Sequence, residues 1–326
     1  MSGVQTITVD PGESEIRLDR WFKRHFPELA HGRLEKLLRT GQVRVDGKRA
    51  TAGQRVGTGQ VIRVPPLGEA PAEPAPPRPI AARDAEMLRG LVLHRDRHLI
   101  VLNKPPGLAV QGGTGTLRHI DGMLEALQFD APERPRLVHR LDRDTSGVFV
   151  VARSAAAARF LGEAFHDKTV RKVYWALVVG QPKPRRGKID SPITKRGTAR
   201  GERVVEDEDE GQRAVTWYAT VESAGRQASW LALMPVTGRT HQLRVHCGSV
   251  LQTPIVGDGK YGGSAAFLAD LDPKAPLHLH ARSIRLPHPD GGSLSVAAPL
   301  PAHMQESWAY FGFGEDDGDP FAEIDS

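Results

Sequence analysis

Residues 65–79, PPLGEAPAEPAPPRP, constrain the fold of this chain more than any other stretch. Repeated prolines remove backbone donors and hold the chain extended, so the segment suits neither a helix interior nor a central strand. It reads as a polyproline-like spacer, with a partner's aromatic groove as the other use of such a segment. Whatever folds must therefore fold on either side of it. A length of 326 residues fits two domains, expected over 16–65 and 83–314 with 66–82 as the linker. The segment 315–326 carries six acidic residues and no basic one, and is expected to be a disordered, solvating tail.

The first module is basic. Residues 16–65 hold twelve Lys/Arg against four Asp/Glu, although the whole chain is only +5. Such an asymmetry points to a polyanionic partner. Leu18, Trp21, Phe22 and Phe26 recur at helical spacing until Pro27, and Leu34, Leu37 and Leu38 line a second helix that Gly41 stops. Arg33, Lys36 and Arg39 fall largely on its other side. Val43 and Val45 then alternate with polar residues, Asp46-Gly47 reads as a tight hairpin turn, and 61–64 is a last strand.

Beyond the spacer, short strands mix with short helices. Strands are predicted over 99–102, 148–152, 172–179, 215–221 and 230–236, with Ser154 capping a helix and 206–210 forming an exposed hairpin tip. The predicted class is α+β, with a mixed, largely antiparallel sheet. One cysteine, Cys247, permits no intrachain disulfide. The N-terminus lacks an apolar signal core, and no apolar run is long enough to span a bilayer. A cytoplasmic protein without a membrane partner is expected.

The segment His139-Arg140-Leu141-Asp142-Arg143-Asp144-Thr145-Ser146-Gly147 carries the densest chemistry. Two carboxylates, three basic side chains and two hydroxyls run into the apolar stretch 148–151, where isolated charges would be costly. A second candidate is Tyr174, whose strand phase opposes Val173 and Trp175; an ordinary sheet tyrosine is the plainer reading. The third is PVTGRTHQLRVH, residues 235–246. Thr240 there reads as a helix N-cap, and Leu243, Cys247, Val250 and Leu251 form the apolar stripe of that helix. A Gly-Arg-Thr at such a terminus offers donors to an anion.

Three of these stretches, HRLDRDTSG, RKVYWALVVG and TGRTHQLRVH, resemble the motifs of the RNA pseudouridine synthases, and in that family's order. LNKPPGLAVQGG (102–113) and LHARSIRLPHP (279–289) resemble two further segments of it. RLDRWF…RLEKLLRTGQVRVDGK resembles the S4 RNA-binding domain, and the combination is most similar to the bacterial C-type group acting on large-subunit ribosomal RNA. The resemblance implies that Asp142 is catalytic, that Tyr174 stacks on the target base, and that Arg244 pairs with Asp142. It further implies base or RNA contacts from Lys104, Arg140, Arg239, Thr240, His241 and Gln242. Ile284 is expected to pack under the base, and Arg33, Lys36, Arg39, Arg44 and Lys48 to grip RNA. The implied reaction isomerises uridine to pseudouridine, with Asp142 acting as nucleophile or base, and with a flipped target base whose place Arg140 takes.

The residues bear on other classes too. His139, Asp142 and Asp144, or His241 and His246, have ligand-type side chains. Yet positions five apart on a helix diverge, and neither an HExxH nor a paired-Cys pattern is present. No metal site is expected, and no cofactor is needed to isomerise a glycosidic bond. The glycines of 112–116 lack the Gly-Lys-Ser/Thr of a nucleotide loop. The competing readings are a non-catalytic RNA-binding protein and a metal-dependent phosphate-ester hydrolase. The chain is expected to act as a monomer.

Overall fold

The structure is a computed structural model that describes residues 3–29, 31–67, 80–113, 116, 118–198, 201–314, 318 and 320–324. Most of the proline-rich segment falls outside them. The chain divides into two compact units, Met1–Pro79 and Ile80–Ser326.

In the first unit, helices Leu18–His25 and His31–Arg39 bury Leu18, Trp21, Phe22, Leu34, Leu37 and Leu38 against Val43, Val45, Val56, Ile62 and Val64. Helical spacing puts these apolar residues on inner faces, as burial requires. Strands Arg44–Val45 and Lys48–Arg49 pair across Asp46 and Gly47, both at positive φ, in the turn expected of Asp-Gly. The unit also recruits residues ahead of position 16: Gln5–Thr8 pairs antiparallel with Val61–Val64. Lys36, Arg39, Arg44 and Lys48 are exposed and Arg33 half-buried. Arg44 is not free, since its guanidinium donates to the carbonyls of Gly41 and Gly47 at 3.2 and 2.8 Å.

The second unit is α+β and built on a mixed sheet. Its main path runs Arg186–Asp190, Val215–Ala224, Ala228–Pro235, Arg171–Val179, Leu279–Pro287, Ser146–Ala152, Leu99–Lys104, Val92–Arg95. Pairing is antiparallel except where Ser146 and Gly147 run parallel to His280 and Ala281. The strand Ser146–Ala152 is buried along its whole length, as its unbroken apolar run demands. Ser154 caps the helix Ala155–His166 through Ala157 N at 3.1 Å. Trp175, Leu177 and Trp230 pack on one face of the sheet, while Ala176, Val178 and Leu233 pack on the other with Tyr174.

Three expectations need correction here. Residues 206–210 are not a hairpin tip: the hairpin is Ile193–Thr198 with Gly201–Glu206, and Asp207 begins the turn that leaves it. The Asp207 carboxylate is buried because it accepts from Asp209 N, Glu210 N and Arg196. Within the tail expected to be disordered, Phe321 is buried with Trp230, Trp308 and Phe313, since a large apolar ring finds a ready site in that cluster. Third, Thr240 does not cap a helix. His241 occupies the N-cap at φ 55, and Gln242–Val245 continues as a π turn over His246–Val250. The wider turn rotates Val250 out to solvent, so the expected stripe keeps only Leu243, Cys247 and Leu251. Among the described residues no helix is long and apolar enough to cross a membrane.

Candidate active site

Asp142 sits on the loop that precedes the strand Ser146–Ala152, and the backbone on both sides of it is pinned. After the loop, Gly147 adopts φ +103, and a Cβ there would lie 2.2 Å from the Ala281 carbonyl. Only glycine lets the two strands approach this closely. Ser146 Oγ and His280 Nδ1 meet at 2.8 Å beside it. Ahead of the loop, His139 lies between Phe149 and Phe165, with ring centroids 4.7 and 4.6 Å away. Its Nε2 accepts from Val150 N at 2.9 Å. Burial, helped by Lys172, pulls its pKa down to about 3, so it serves as a neutral acceptor.

Lys104 is the third pin, and its role differs from the expected RNA contact. The side chain is fully buried, and its ammonium donates to the carbonyls of Pro105, Leu108 and Arg143, each at 2.8 Å. All three donors are thereby committed, one of them to the residue after Asp142. Burial brings its pKa down to about 7, with Asp144 and Asp142 opposing the shift. Lys104 holds the backbone of the loop that carries Asp142.

The loop opens into a cleft of about 650 Å³ lined by Arg140, Asp142, Lys172, Tyr174, Arg239, His241, Arg244 and Leu279. A second cleft, on which Gln111, Asp144 and Lys260 lie, shares Arg140, Asp142, His241 and Arg244. Strand alternation aims Tyr174 into the first cleft, away from Trp175. Burial and the charge of Asp142 push its phenol well above the usual value, so it stays protonated at neutral pH. Arg140 and Arg239 are exposed at the mouth; Arg239 Nε donates to the Arg213 carbonyl at 3.2 Å.

Arg244 is close enough to feel Asp142, but its partner is another carboxylate. Its Nε and Nη2 donate to Asp258 Oδ2 and Oδ1 at 2.8 and 2.7 Å, a buried two-pronged pair. Burial acts to lower the guanidinium, yet Asp258 outweighs it and holds the group above its ordinary value, with Asp142 adding in the same direction. The expected Arg244–Asp142 pair is therefore replaced by Arg244–Asp258, because a buried guanidinium needs a carboxylate able to take both prongs. Asp142 instead has His241 Nε2 at 3.9 Å.

Two further expected contact residues point elsewhere. Gln242 is buried, and its amide is used up inside the protein. Its oxygen accepts from Thr237 Oγ1 and Arg239 N at 2.7 and 3.1 Å; its nitrogen donates to Val215 O and Thr216 Oγ1, both at 2.9 Å. It shapes the loop that carries Arg239 and His241. Ile284 is core, buried with Val148, Val150 and Leu161 and paired with Lys172; it lines a separate cleft with Val173 and Trp175 and not the cleft of Asp142 and Tyr174. Leu243 and Leu279 are aliphatic residues that line the cleft with Tyr174, and period-two counting back from Ala281 would have put Leu279 on that face. Sequence reasoning also missed Asp258, Tyr261 and Lys172. The first two lie in the loop segment GDGKYG, an acid and a phenol between glycines, which is the one local signal they offered. Thr240 is half-buried on the second cleft. Among the described residues, no three His, Cys, Asp or Glu converge as a metal ion would require.

Residues 98–249 match the family model described as RNA pseudouridylate synthase. RNA pseudouridine synthase 4, mitochondrial, of Arabidopsis thaliana is 38% identical, the alignment covering 94% of this chain and 82% of that one. Ribosomal large subunit pseudouridine synthase C of Vibrio cholerae is 36% identical over 93% of this chain and 96% of its own length. Among solved structures, human RNA pseudouridylate synthase domain containing 4 superposes with a TM-score of 0.59 at 32% identity, over 70% of this chain and 95% of that one.

Proposed function

The chain belongs to the RNA pseudouridine synthases, and from that premise we propose that it converts uridines of large-subunit ribosomal RNA to pseudouridine, with Asp142 as the catalytic carboxylate. The observation that carries the reading is one cleft in which the Asp142 carboxylate, the Tyr174 phenol and the Leu279 side chain meet, with Arg140 and Arg239 at its mouth. A flipped uracil needs those parts: a flat aromatic face, an aliphatic floor, cations for the flanking phosphates and a carboxylate at the sugar.

In the proposed reaction the N1–C1′ bond breaks, the uracil turns, C5 bonds to C1′, the C5 proton leaves, and the freed N1 takes up a proton. Asp142 acts at the sugar, either adding to C1′ or abstracting a proton. Tyr174 holds the turning base. Its raised pKa suits it to donate or accept hydrogen bonds as a neutral phenol, not to act as a resting phenolate. Arg140 takes the space of the flipped nucleotide. The isomerisation conserves every atom, so no redox or energy cofactor enters. The basic N-terminal unit, S4-like in its motif, supplies affinity through Lys36, Arg39 and Lys48, with Arg33 and Arg44 shaping that surface. The enzyme acts as a monomer in the cytoplasm, where bacterial ribosomal RNA is made.

The ribosomal target is supported by the relatives named for the large subunit. Mapping pseudouridines in ribosomal and transfer RNA from cells with and without this protein tests it. Sites that vanish from large-subunit RNA sustain the proposal. Sites that vanish only from transfer RNA would move the substrate while leaving the chemistry.

A further inference from the structure

The imidazole facing Asp142 is itself held from behind. His241 Nε2 lies 3.9 Å from Asp142 Oδ2, and His241 Nδ1 lies 2.6 Å from Tyr261 Oη. The tyrosine is anchored in turn. Its oxygen accepts from Val204 N at 3.3 Å, its backbone N–H donates to Asp258 Oδ1 at 3.2 Å, and Arg244 lies 5.0 Å over its ring. If Tyr261 gives its one hydroxyl proton to His241 Nδ1 while accepting from Val204 N–H, the imidazole proton resides on Nε2, on the side of Asp142. Both groups stay neutral at physiological pH: burial lowers the His241 imidazole against the pull of Asp142, and burial raises the Tyr261 phenol. His241 also holds φ 55, a left-handed backbone uncommon for histidine and kept mainly where surrounding contacts demand it.

We propose that His241 is a positioning residue for the reaction, its Nε2–H donating to the Asp142 carboxylate in the RNA complex while Tyr261 locks the tautomer that makes this donation possible. The proposal rests on the synthase reading and adds to it the group that orients the catalytic carboxylate. Hydrogen bonds of a catalytic site are often long before substrate binds and tighten in the complex, so a 3.9 Å separation is a fair starting point. Arg244 is aimed at Asp258 by two of its donors, which leaves His241 Nε2 as the ring nitrogen facing Asp142.

Three full-length variants test the idea. His241→Asn offers Tyr261 an acceptor, suits a left-handed backbone, and is too short to reach Asp142. His241→Gln restores a donor at roughly the reach of Nε2. Tyr261→Phe removes the lock and leaves the imidazole. Turnover is read by tritium release from 5-tritiated uridine RNA over a range of RNA concentrations, with thermal unfolding of each variant alongside. In His241→Asn, kcat should fall about tenfold or more with KM nearly unchanged, the loss expected of a misoriented reacting group. His241→Gln should recover part of that loss, and Tyr261→Phe should fall between the parent and the Asn variant.

The acid limb of the kcat profile should move to higher pH in the Asn variant, because a donor favouring the ionised carboxylate has gone. Arg140, Arg143, Asp144, Lys172, Tyr174, Arg239, Arg244 and Lys260, which line the two clefts with Asp142, and Lys104 and Tyr261 beside them, remain in place there. Parental kcat in His241→Asn, or a loss confined to KM with the acid limb unmoved, overturns the proposal and makes His241 an RNA contact only. Should His241→Asn fail to fold, parental kcat in Tyr261→Phe overturns it equally. Asp142→Asn in the same assay separates the two levels: turnover by that variant would overturn the role of Asp142 itself, whereas an inert Asp142→Asn beside a normal His241→Asn sinks only the role of His241.

Discussion

In the N-terminal unit, Lys36, Arg39 and Lys48 lie exposed on a helix face and a hairpin, and the core beneath them is apolar. In the catalytic unit, Lys104 and Arg244 belong to the motifs with the clearest chemistry, yet both are buried and bound to protein acceptors. The same two residue types thus do opposite jobs. Exposed cations supply a field that an RNA backbone feels at any sequence, and each contributes modestly. Buried ones carry a large desolvation cost that only carbonyls or a carboxylate can offset, so they fix local geometry. A basic residue in a motif acts on the ligand or on the loop according to its burial, not according to its letter.

Substitutions on either side probe that contrast. The largest effect belongs to the exception, the half-exposed carboxylate between the two regimes. Asp142→Asn should lower kcat by roughly a thousandfold or more, the scale of removing a group that acts in the transition state, while leaving RNA affinity nearly intact. Tritium release and filter binding measure the two; turnover near the parental rate would remove Asp142 from the chemistry.

Lys104→Met should act on folding. Three carbonyls, that of Leu108 buried and those of Pro105 and Arg143 partly so, lose their donor, at about 1–3 kcal/mol for a buried group left unsatisfied and less for the others. Urea unfolding should show a loss on the order of 3 kcal/mol, with RNA affinity retained wherever the variant is folded. Unchanged stability with weakened binding would return Lys104 to the ligand.

Arg244→Lys keeps the charge but cannot reproduce the two-pronged contact with Asp258. A fall in kcat of about tenfold to a hundredfold is expected, with KM less affected, because the cleft wall behind His241 and Tyr261 loosens. Near-parental kcat would show that charge alone suffices.

His139 gives a smaller, pH-dependent effect. Its folded pKa is lowered to about 3, so its contribution is full above the unfolded value near 6.5 and is lost as pH falls through that window. His139→Gln should remove this acid sensitivity, so that below pH 6.5 the parent's stability falls faster than the variant's by up to about 1.4 kcal/mol per pH unit. Parallel stability curves for the two proteins would contradict a desolvated, neutral His139. On the exposed side, the triple change Lys36→Glu, Arg39→Glu, Lys48→Glu should leave kcat and stability nearly unchanged. It should raise KM and flatten the salt dependence of binding by roughly 0.7–0.9 in log–log slope for each phosphate no longer neutralised. An unchanged salt slope in filter-binding titrations would take the RNA grip away from this surface.

Much of the molecule was legible in the sequence because the rules that govern it are local. Leu18, Trp21 and Phe22 had to share a helix face; Asp46-Gly47 had to turn; the run 148–151 had to be a buried strand; Tyr174 had to face away from Trp175. The gathering of Asp142, Tyr174, Arg244 and His241 around adjoining clefts was also foreshadowed, since three motifs rich in titratable groups flank the central strands.

What the sequence could not specify was the pairing of those groups. Nothing local distinguishes Asp142 from Asp258 as the acceptor for Arg244. No local rule reveals that Lys104 spends its three donors on Pro105, Leu108 and Arg143. A helical phase, a hairpin turn or a strand face depends on residues a few positions apart, so composition and spacing determine it. Which polar group is buried, and against what, depends on segments brought together from distant parts of the chain, and the cost of leaving a buried charge or carbonyl unmatched is settled only when the whole sheet has closed around it.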